Sequence, residues 1–419
     1  MRSITATGYK ERYMDRRLIK LTSMIISGIL LLSSCSVGGK KYKGYIEIPN
    51  EVPSSYSIFD EAMPKHIDNQ VGGTCWASAA TTVMEYGYFK MTTHSVQMDP
   101  TSLAFMVYNP HTTEGYYLDD RTGAYDIGGN ADLVVNITSN GFGDYTLIDS
   151  CDLTESSPDD IKRAIMAFGG VTAGVSDNSS NYTWANNTYT MIGSSADPTV
   201  HCVAIVGWDD DFPASAFATP ASQNGAWYVQ NSYSRTWGDA GFYWISYDTP
   251  LEDVRSLVMS NRYSCVASHE AGYSGDISAG NRTTVANVFD RTGRLAAVGT
   301  YTTCPGQKLT VKICDTDMET VLDSYSCEFE FEGYHVITLD EEIMVDGVAI
   351  VITYSGGGAP VEGADWHNGG SGYNASIREG ESFIRRGSEW LDLADPGTPA
   401  ALGIHGTTNN VCIKALFTS

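Results

Sequence analysis

A thiol, an imidazole and a side-chain amide stand at Cys75, His201 and Asn231. Glycine or aromatic residues frame each, in the segments NQVGGTCWASA, VHCVAIVGWDDD and WYVQNSYSRTWGDAGFYWISY. Nucleophilic acyl transfer needs these groups: a thiolate to attack a carbonyl, a base that later returns the proton to the leaving group, and a partner that fixes the base. Cys75 follows Gly72 and Gly73 and opens an apolar run with helical spacing. A helix N-terminus and a nearby imidazolium both lower a thiol pKa. Each residue also has a plain structural reading. A cysteine in an apolar run is more often a small core residue, His201 can be a satisfied histidine in a strand, and Asn231 before Ser232 can cap a turn.

Taken jointly, in this order and with these neighbours, the three segments resemble the papain-like cysteine peptidases. Thr74-Cys75-Trp76 is similar to the family's signature of a small residue, Cys and an aromatic. His201 and Asn231 follow the cysteine by 126 and 156 residues, near the family's separations. The resemblance implies Cys75 as nucleophile, His201 as general base and then acid, and Asn231 as the residue that orients the imidazole. It implies that Gln70 donates its side-chain amide to the oxyanion beside the backbone N–H of Cys75. Gly128 and Gly129 match a glycine pair whose bare backbone hydrogen-bonds an extended substrate strand, and Trp237 matches the tryptophan that shields the histidine and asparagine. The match runs over about residues 52 to 260.

Four departures accompany it. Gln70 stands five positions before Cys75, one fewer than in the family, so the oxyanion loop must be tighter. Asn231-Ser232-Tyr233 carries a phenol where the family has an indole. Gly72 and Gly73 occupy the place of the family's preceding cysteine, so its disulfide is not expected. The segment before the peptidase region is too short for an inhibitory pro-domain.

The elements that must position these residues read as an α+β papain-like fold, a helical half and then a β-rich half, followed by an all-β sandwich. The run from Cys75 to Gly87 suits a buried helix of three turns. ADLVVNITSN and DDIKRAIMAFGG give two more helices, the latter with Ile161, Ala164, Ile165 and Phe168 on one face. GVTAGV, VHCVAIVGW, GAWYVQNSY and GFYWISY read as strands. Beyond about Asn261 the helical period vanishes, and LTVKIC, YHVITL, VAIVITY and VCIKALF read as short strands. This second region resembles the lectin-like domain that follows some bacterial peptidases of the family, through VANVFD, GYHVITLD and NVCIKAL. The expected organisation is residues 1–34 signal peptide, 35–55 tether, 56–261 peptidase and 262–419 lectin-like domain. Tyr354, Trp366, His367 and Trp390 are candidates to stack on sugar rings, although such aromatics more often pack the fold.

Arg16, Arg17 and Lys20 precede LTSMIISGILLL, an apolar run shorter than the ~20 residues of a spanning helix. Leu32-Ser33-Ser34-Cys35 then looks like a lipobox, which implies lipidation at Cys35 and a secreted, membrane-anchored lipoprotein on the bacterial cell surface. The formal charge of -24 argues against nucleic acid as a partner. The expected partners are a peptide or protein substrate, a glycan at the C-terminal domain, and the membrane through the lipid. No cofactor and no metal are expected: the cysteine spacing lacks a zinc pattern, and Asp209-Asp210-Asp211 reads as a solvated turn rather than a calcium loop. With Cys35 and Cys75 assigned, seven cysteines remain, so at least one is unpaired within the chain. Three functions compete. The first is an endopeptidase working through a Cys75 thioester. The second is a carbohydrate-binding or adhesin lipoprotein with a catalytically weak peptidase-like half. The third is a related transglutaminase or amidase, against which the glycine pair counts.

Overall fold

A computed structural model describes residues 39–42, 44, 46–61, 66–109, 114–118, 123, 125–185, 188–364, 366–368, 371–403 and 409–419. The first half contains β1 (Lys40–Lys41), β2 (Ser55–Ser57), α1 (Cys75–Thr92), α2 (Pro100–Val107), β3 (Gly115–Leu118), α3 (Ala131–Thr138), β4 (Thr146–Cys151) and α4 (Pro158–Phe168). Strands follow: β5 (Val171–Val175), β6 (Tyr182–Ala185), β7 (Thr188–Met191), β8 (His201–Asp209), β9 (Ala226–Gln230), β10 (Phe242–Ser246), β11 (Glu252–Arg255) and β12 (Val258–Ser260). The second half runs through β13 (Cys265–Ala267), β14 (Tyr273–Ile277), β15 (Arg282–Thr302), β16 (Lys308–Cys314), β17 (Val321–Glu328) and β18 (Gly333–Ser355). It closes with β19 (Ala359–Glu362), β20 (Trp366–Asn368), β21 (Ser371–Asn374), β22 (Ser382–Arg386), β23 (Glu389–Asp392), the short α5 (Thr398–Leu402) and β24 (Ile413–Thr418).

The first half is helical and then β-rich, as its changing periodicity suggests. Strands in the order β11-β5-β8-β9-β10-β7-β6 make its sheet, and β2 pairs with β8. Nearly every side of α1 is apolar or small, so the helix is buried; Ala80, Val83 and Met84 share one core with Ala204, Ile205 and Val206 of β8. Residues Ile161, Ala164, Ile165 and Phe168 form the buried face of α4. Ser157 caps that helix through Asp160 N, Pro158 begins it, and Gly169 ends it in the left-handed conformation.

The two halves share a sheet. β4 pairs with β12 on one side and with β18 on the other, where Cys151 lies opposite Gly333 and Asp149 opposite His335. Along β24, Ile413, Ala415 and Phe417 face the second half's own core, whereas Cys412 and Leu416 face the core around α1. Both faces of these strands are therefore buried, which explains their near-continuous apolar character.

Several expectations change. α1 runs to Thr92 rather than stopping after three turns at Gly87. Gly87 is internal because the backbone of Leu257 and Val258 lies against the helix there: a Cβ would sit 2.7 Å from Leu257 O. YHVITL and VAIVITY are the two ends of one strand, β18, whose exposed middle at Asp340, Glu341 and Glu342 reads as a break. The segment read as a tether lies along both halves. Lys40 pairs with Asp323 at 2.9 Å, Tyr42 donates to Val336 O, Arg163 Nε donates to Pro49 O at 2.7 Å, and Trp208 Nε1 to Pro53 O at 3.1 Å. Tyr354 is fully buried in the second core and cannot meet a sugar. Trp390 is half-buried, with Arg385 over its ring and its indole N–H on Glu319. The side chains of Trp366 and His367 lie outside the described residues. In the Asp209–Asp211 turn, Asp210 accepts from Lys162 and Tyr247, both at 2.7 Å. The eight described cysteines are all free thiols.

Candidate active site

Cys75 is the first residue of α1, where its backbone N–H has no partner within the helix. The loop before it is tied to the Asn231 segment: Gln70 N donates to Ser232 O at 2.9 Å, and Asn69 bridges Tyr233. A left-handed Gly72, with φ of +57°, makes the sharp turn that a loop one residue shorter requires. Gly73 N then donates to Tyr125 O at 2.5 Å. His201 opens β8 opposite Val175 of β5 and is only 4% exposed. Asn231 follows β9, is 3% exposed, and donates its backbone N–H to Gly241 O at 2.9 Å.

These elements bring the three side chains together. His201 Nε2 lies 2.8 Å from Asn231 Oδ1, an oxygen that also accepts from Ser232 N at 2.8 Å. That second bond fixes which way the amide points, and an acceptor oxygen requires Nε2 to carry a hydrogen. On the other side of the ring His201 is hydrogen-bonded to Cys75. Burial pushes the Cys75 thiol up, yet the hydrogen bond and charge of His201 outweigh it and leave the thiol below its ordinary value. Burial pulls the imidazole down, but its bonds to Cys75 and Asn231 and the charges of Cys75 and Asp177 leave it above its ordinary value. A thiolate beside an imidazolium is the form that these opposite shifts favour. Such a pair can attack a carbonyl and then protonate a leaving amine.

Gln70 sits beside the pair with its amide engaged. Nε2 donates to Gly72 O at 2.8 Å and Oε1 accepts from Ser232 Oγ at 2.6 Å, leaving one Nε2 hydrogen uncommitted by these bonds. Gly128 and Gly129 precede α3. Tyr108 donates to Gly128 O at 3.0 Å, and Gly129 lies so close to Trp76 that a Cβ would come within 2.5 Å of its ring. Trp237 packs edge-on against Tyr233 at 5.5 Å, and Tyr233 in turn stacks on His201 at 4.8 Å, so the indole reaches the imidazole only through the phenol. Cys35 lies outside the described residues. Among the described residues no cluster of three metal-ligating side chains occurs. Asp177 was not legible in the sequence as a neighbour of His201; it accepts from Tyr233 and Tyr182, and nothing in its SDNSS surroundings marks it.

Residues 132–262 match the model of the papain family cysteine proteases and residues 265–418 that of a lectin-like domain. The first match contains His201 and Asn231 and begins beyond Cys75. No curated protein matches the chain. Among solved structures, the chain is similar to a Cys-to-Ala variant of the clostridial cysteine protease Cwp84 after propeptide cleavage. That likeness has a TM-score of 0.71 at 20% identity and covers 88% of this chain and all of the other. The cysteine protease and lectin-like domains of Cwp84, a surface layer associated protein of Clostridium difficile, give a TM-score of 0.69 at 21% identity, covering 90% of this chain and 93% of that one. Domain matches, shared fold and the Cys75–His201 pair agree: the chain is a papain-like cysteine peptidase with a lectin-like domain at its C-terminal end.

Proposed function

We propose that this peptidase is an endopeptidase that works outside the cell, held to the membrane by lipid on Cys35, and cleaves extended peptides through a thioester on Cys75. The observation that carries the chemistry is the buried imidazole bonded to Cys75 at one nitrogen and, at 2.8 Å, to Asn231 Oδ1 at the other. The Cys75 thiolate attacks the scissile carbonyl carbon, and the displaced electron pair moves onto the oxygen. The N–H of Cys75 and the uncommitted hydrogen of Gln70 Nε2 would receive that oxyanion. Collapse expels the amine, which takes its proton from His201, and leaves the acyl group on sulfur. The now neutral His201 draws a proton from water, whose hydroxide attacks the thioester; release of the acid restores thiolate and imidazolium. Asn231 keeps the ring aligned throughout, and the Gly128-Gly129 backbone binds the extended chain on one side. Trp237 supports Tyr233, which covers the ring.

Extracellular placement rests on the lipobox and draws support from the surface-layer association of the Cwp84 neighbour. The lectin-like half would bring the enzyme to a glycan. The test is labelling of the protein from Ser36 onward with an epoxide inhibitor of papain-like enzymes, read by mass spectrometry, with Cys75→Ala as control. Labelling confined to Cys75 is expected. A folded protein that takes no label would refute the thioester mechanism and favour a carbohydrate-binding lipoprotein with a weak peptidase half.

A further inference from the structure

The proposal developed here rests on the Cys75–His201–Asn231 reading and concerns the second face of the imidazole. Tyr233 stacks on His201 with ring centroids 4.8 Å apart and planes 24° from parallel. Its hydroxyl lies 3.4 Å from His201 Nδ1 and donates its one hydrogen to Asp177 Oδ2 at 2.8 Å. The hydrogen being committed, the phenol oxygen can face Nδ1 only as an acceptor, and that contact is favourable only when Nδ1 carries a proton. Nε2 already carries one, since it faces the oxygen of Asn231. Every polar neighbour of the ring is thus satisfied by the doubly protonated imidazolium, while the neutral ring would set a lone pair against a lone pair.

The groups facing His201 are Cys75 from α1, Asp177 from the segment after β5, and Asn231 and Tyr233 from the segment after β9. Cys202, next along β8, is a fully buried thiol that burial pushes up and keeps neutral. Behind Asp177, Tyr182 donates to Oδ1 at 2.7 Å, and its ring packs 5.8 Å from Tyr243, so the carboxylate is held from two sides. Burial and Asp177 together raise the Tyr233 phenol, which therefore keeps its hydrogen for the carboxylate. An indole at this position would offer a donor and no acceptor.

We propose that Tyr233 and Asp177 act as a pair of positioning residues that hold His201 as the imidazolium, so that the thiolate persists and a proton is ready for the leaving amine at higher pH than Cys75 and Asn231 alone would allow.

The test reads His201 without a substrate. Iodoacetate is drawn by the imidazolium and iodoacetamide is not, so the ratio of their alkylation rates at Cys75, followed by mass spectrometry, falls as His201 loses its proton. Tyr233→Phe removes only the acceptor oxygen, and Asp177→Asn keeps the shape while removing the charge. Each is expected to move the midpoint of that fall down by about one pH unit, and the double variant little further. Between the two midpoints the ratio in either variant should lie several-fold below wild type, with near-equal values at pH 6. Asp177→Asn carries the test alone if Tyr233→Phe does not fold. A wild-type ratio that falls with pH, with both variants coinciding with it, overturns this inference and leaves the thiolate–imidazolium pair standing. A wild-type Cys75 that reacts only in the ordinary thiol range overturns the pair and the inference together.

Discussion

Cys75 and His201 are each pushed one way by burial and the other way by their partner, and in both the partner wins. Replacing His201 by Gln leaves burial acting alone on the thiol, so the pH at which Cys75 alkylates with iodoacetamide should rise past the ordinary thiol value. A pH–rate curve for that variant checks the sign, and an unchanged midpoint would show that the helix terminus rather than the imidazole lowers the thiol. Hydrolysis by Cys75→Ser or His201→Ala should fall by roughly 10⁴-fold or more against any peptide that wild type cleaves. The thiol, imidazole and amide are legible in sequence because each stands in a distinctive frame of glycines and aromatics. Asp177 is not: it meets Tyr233 across 56 residues, and only the fold closes that distance.

Among the elements, α1 shows how local preference and packing compete. Alanine is favoured over glycine inside a helix by about 1 kcal/mol, which alone would make Gly87→Ala stabilising. A Cβ there would press on backbone at Leu257 O and Phe168 O, which cannot swing aside as a side chain can, and overpacking of that kind costs about 1–3 kcal/mol. The expected net effect is destabilisation, seen as a lower urea midpoint with unchanged slope. The same competition limits what periodicity reveals. It finds α4 with its buried face, because that helix has one wet side. It stops α1 short at a glycine placed for an approaching chain, and it divides β18 at charges that lie on an exposed middle.

For the molecule as a whole, Gly39–Ser419 forms one compact unit, and β4 takes hydrogen bonds from both halves. Thermal unfolding followed by tryptophan fluorescence and by retention of the Cys75 label should therefore give a single transition, and two resolved midpoints would contradict the shared strand. Deep between the halves, Lys414 and Glu270 form a fully buried ion pair at 2.5 Å, with Glu362 nearby. Burial pushes the Glu362 carboxyl up to about 7 from 4.5, despite hydrogen bonds from Ala271 N and Tyr373. The folded protein thus keeps a proton that the unfolded chain has released, so this residue's contribution is fully present below about 4.5 and is lost as pH rises through about 7. Glu362→Gln should raise Tm relative to wild type at pH 8 and change it little at pH 4.5; equal shifts at both would exclude the carboxyl as the cause. None of this is legible in the sequence, where composition changes near residue 262 and suggests separate units. The pairing of Cys151 with Gly333 has a further consequence for how such chains can recombine. Gly333 adopts φ of +140°, and a Cβ there would collide with the Ser150 carbonyl, so main chain meets main chain at that point with no side chain between. A lectin-like half borrowed from another molecule would have to match this register residue for residue, which makes the two halves a poor substrate for shuffling as interchangeable cassettes.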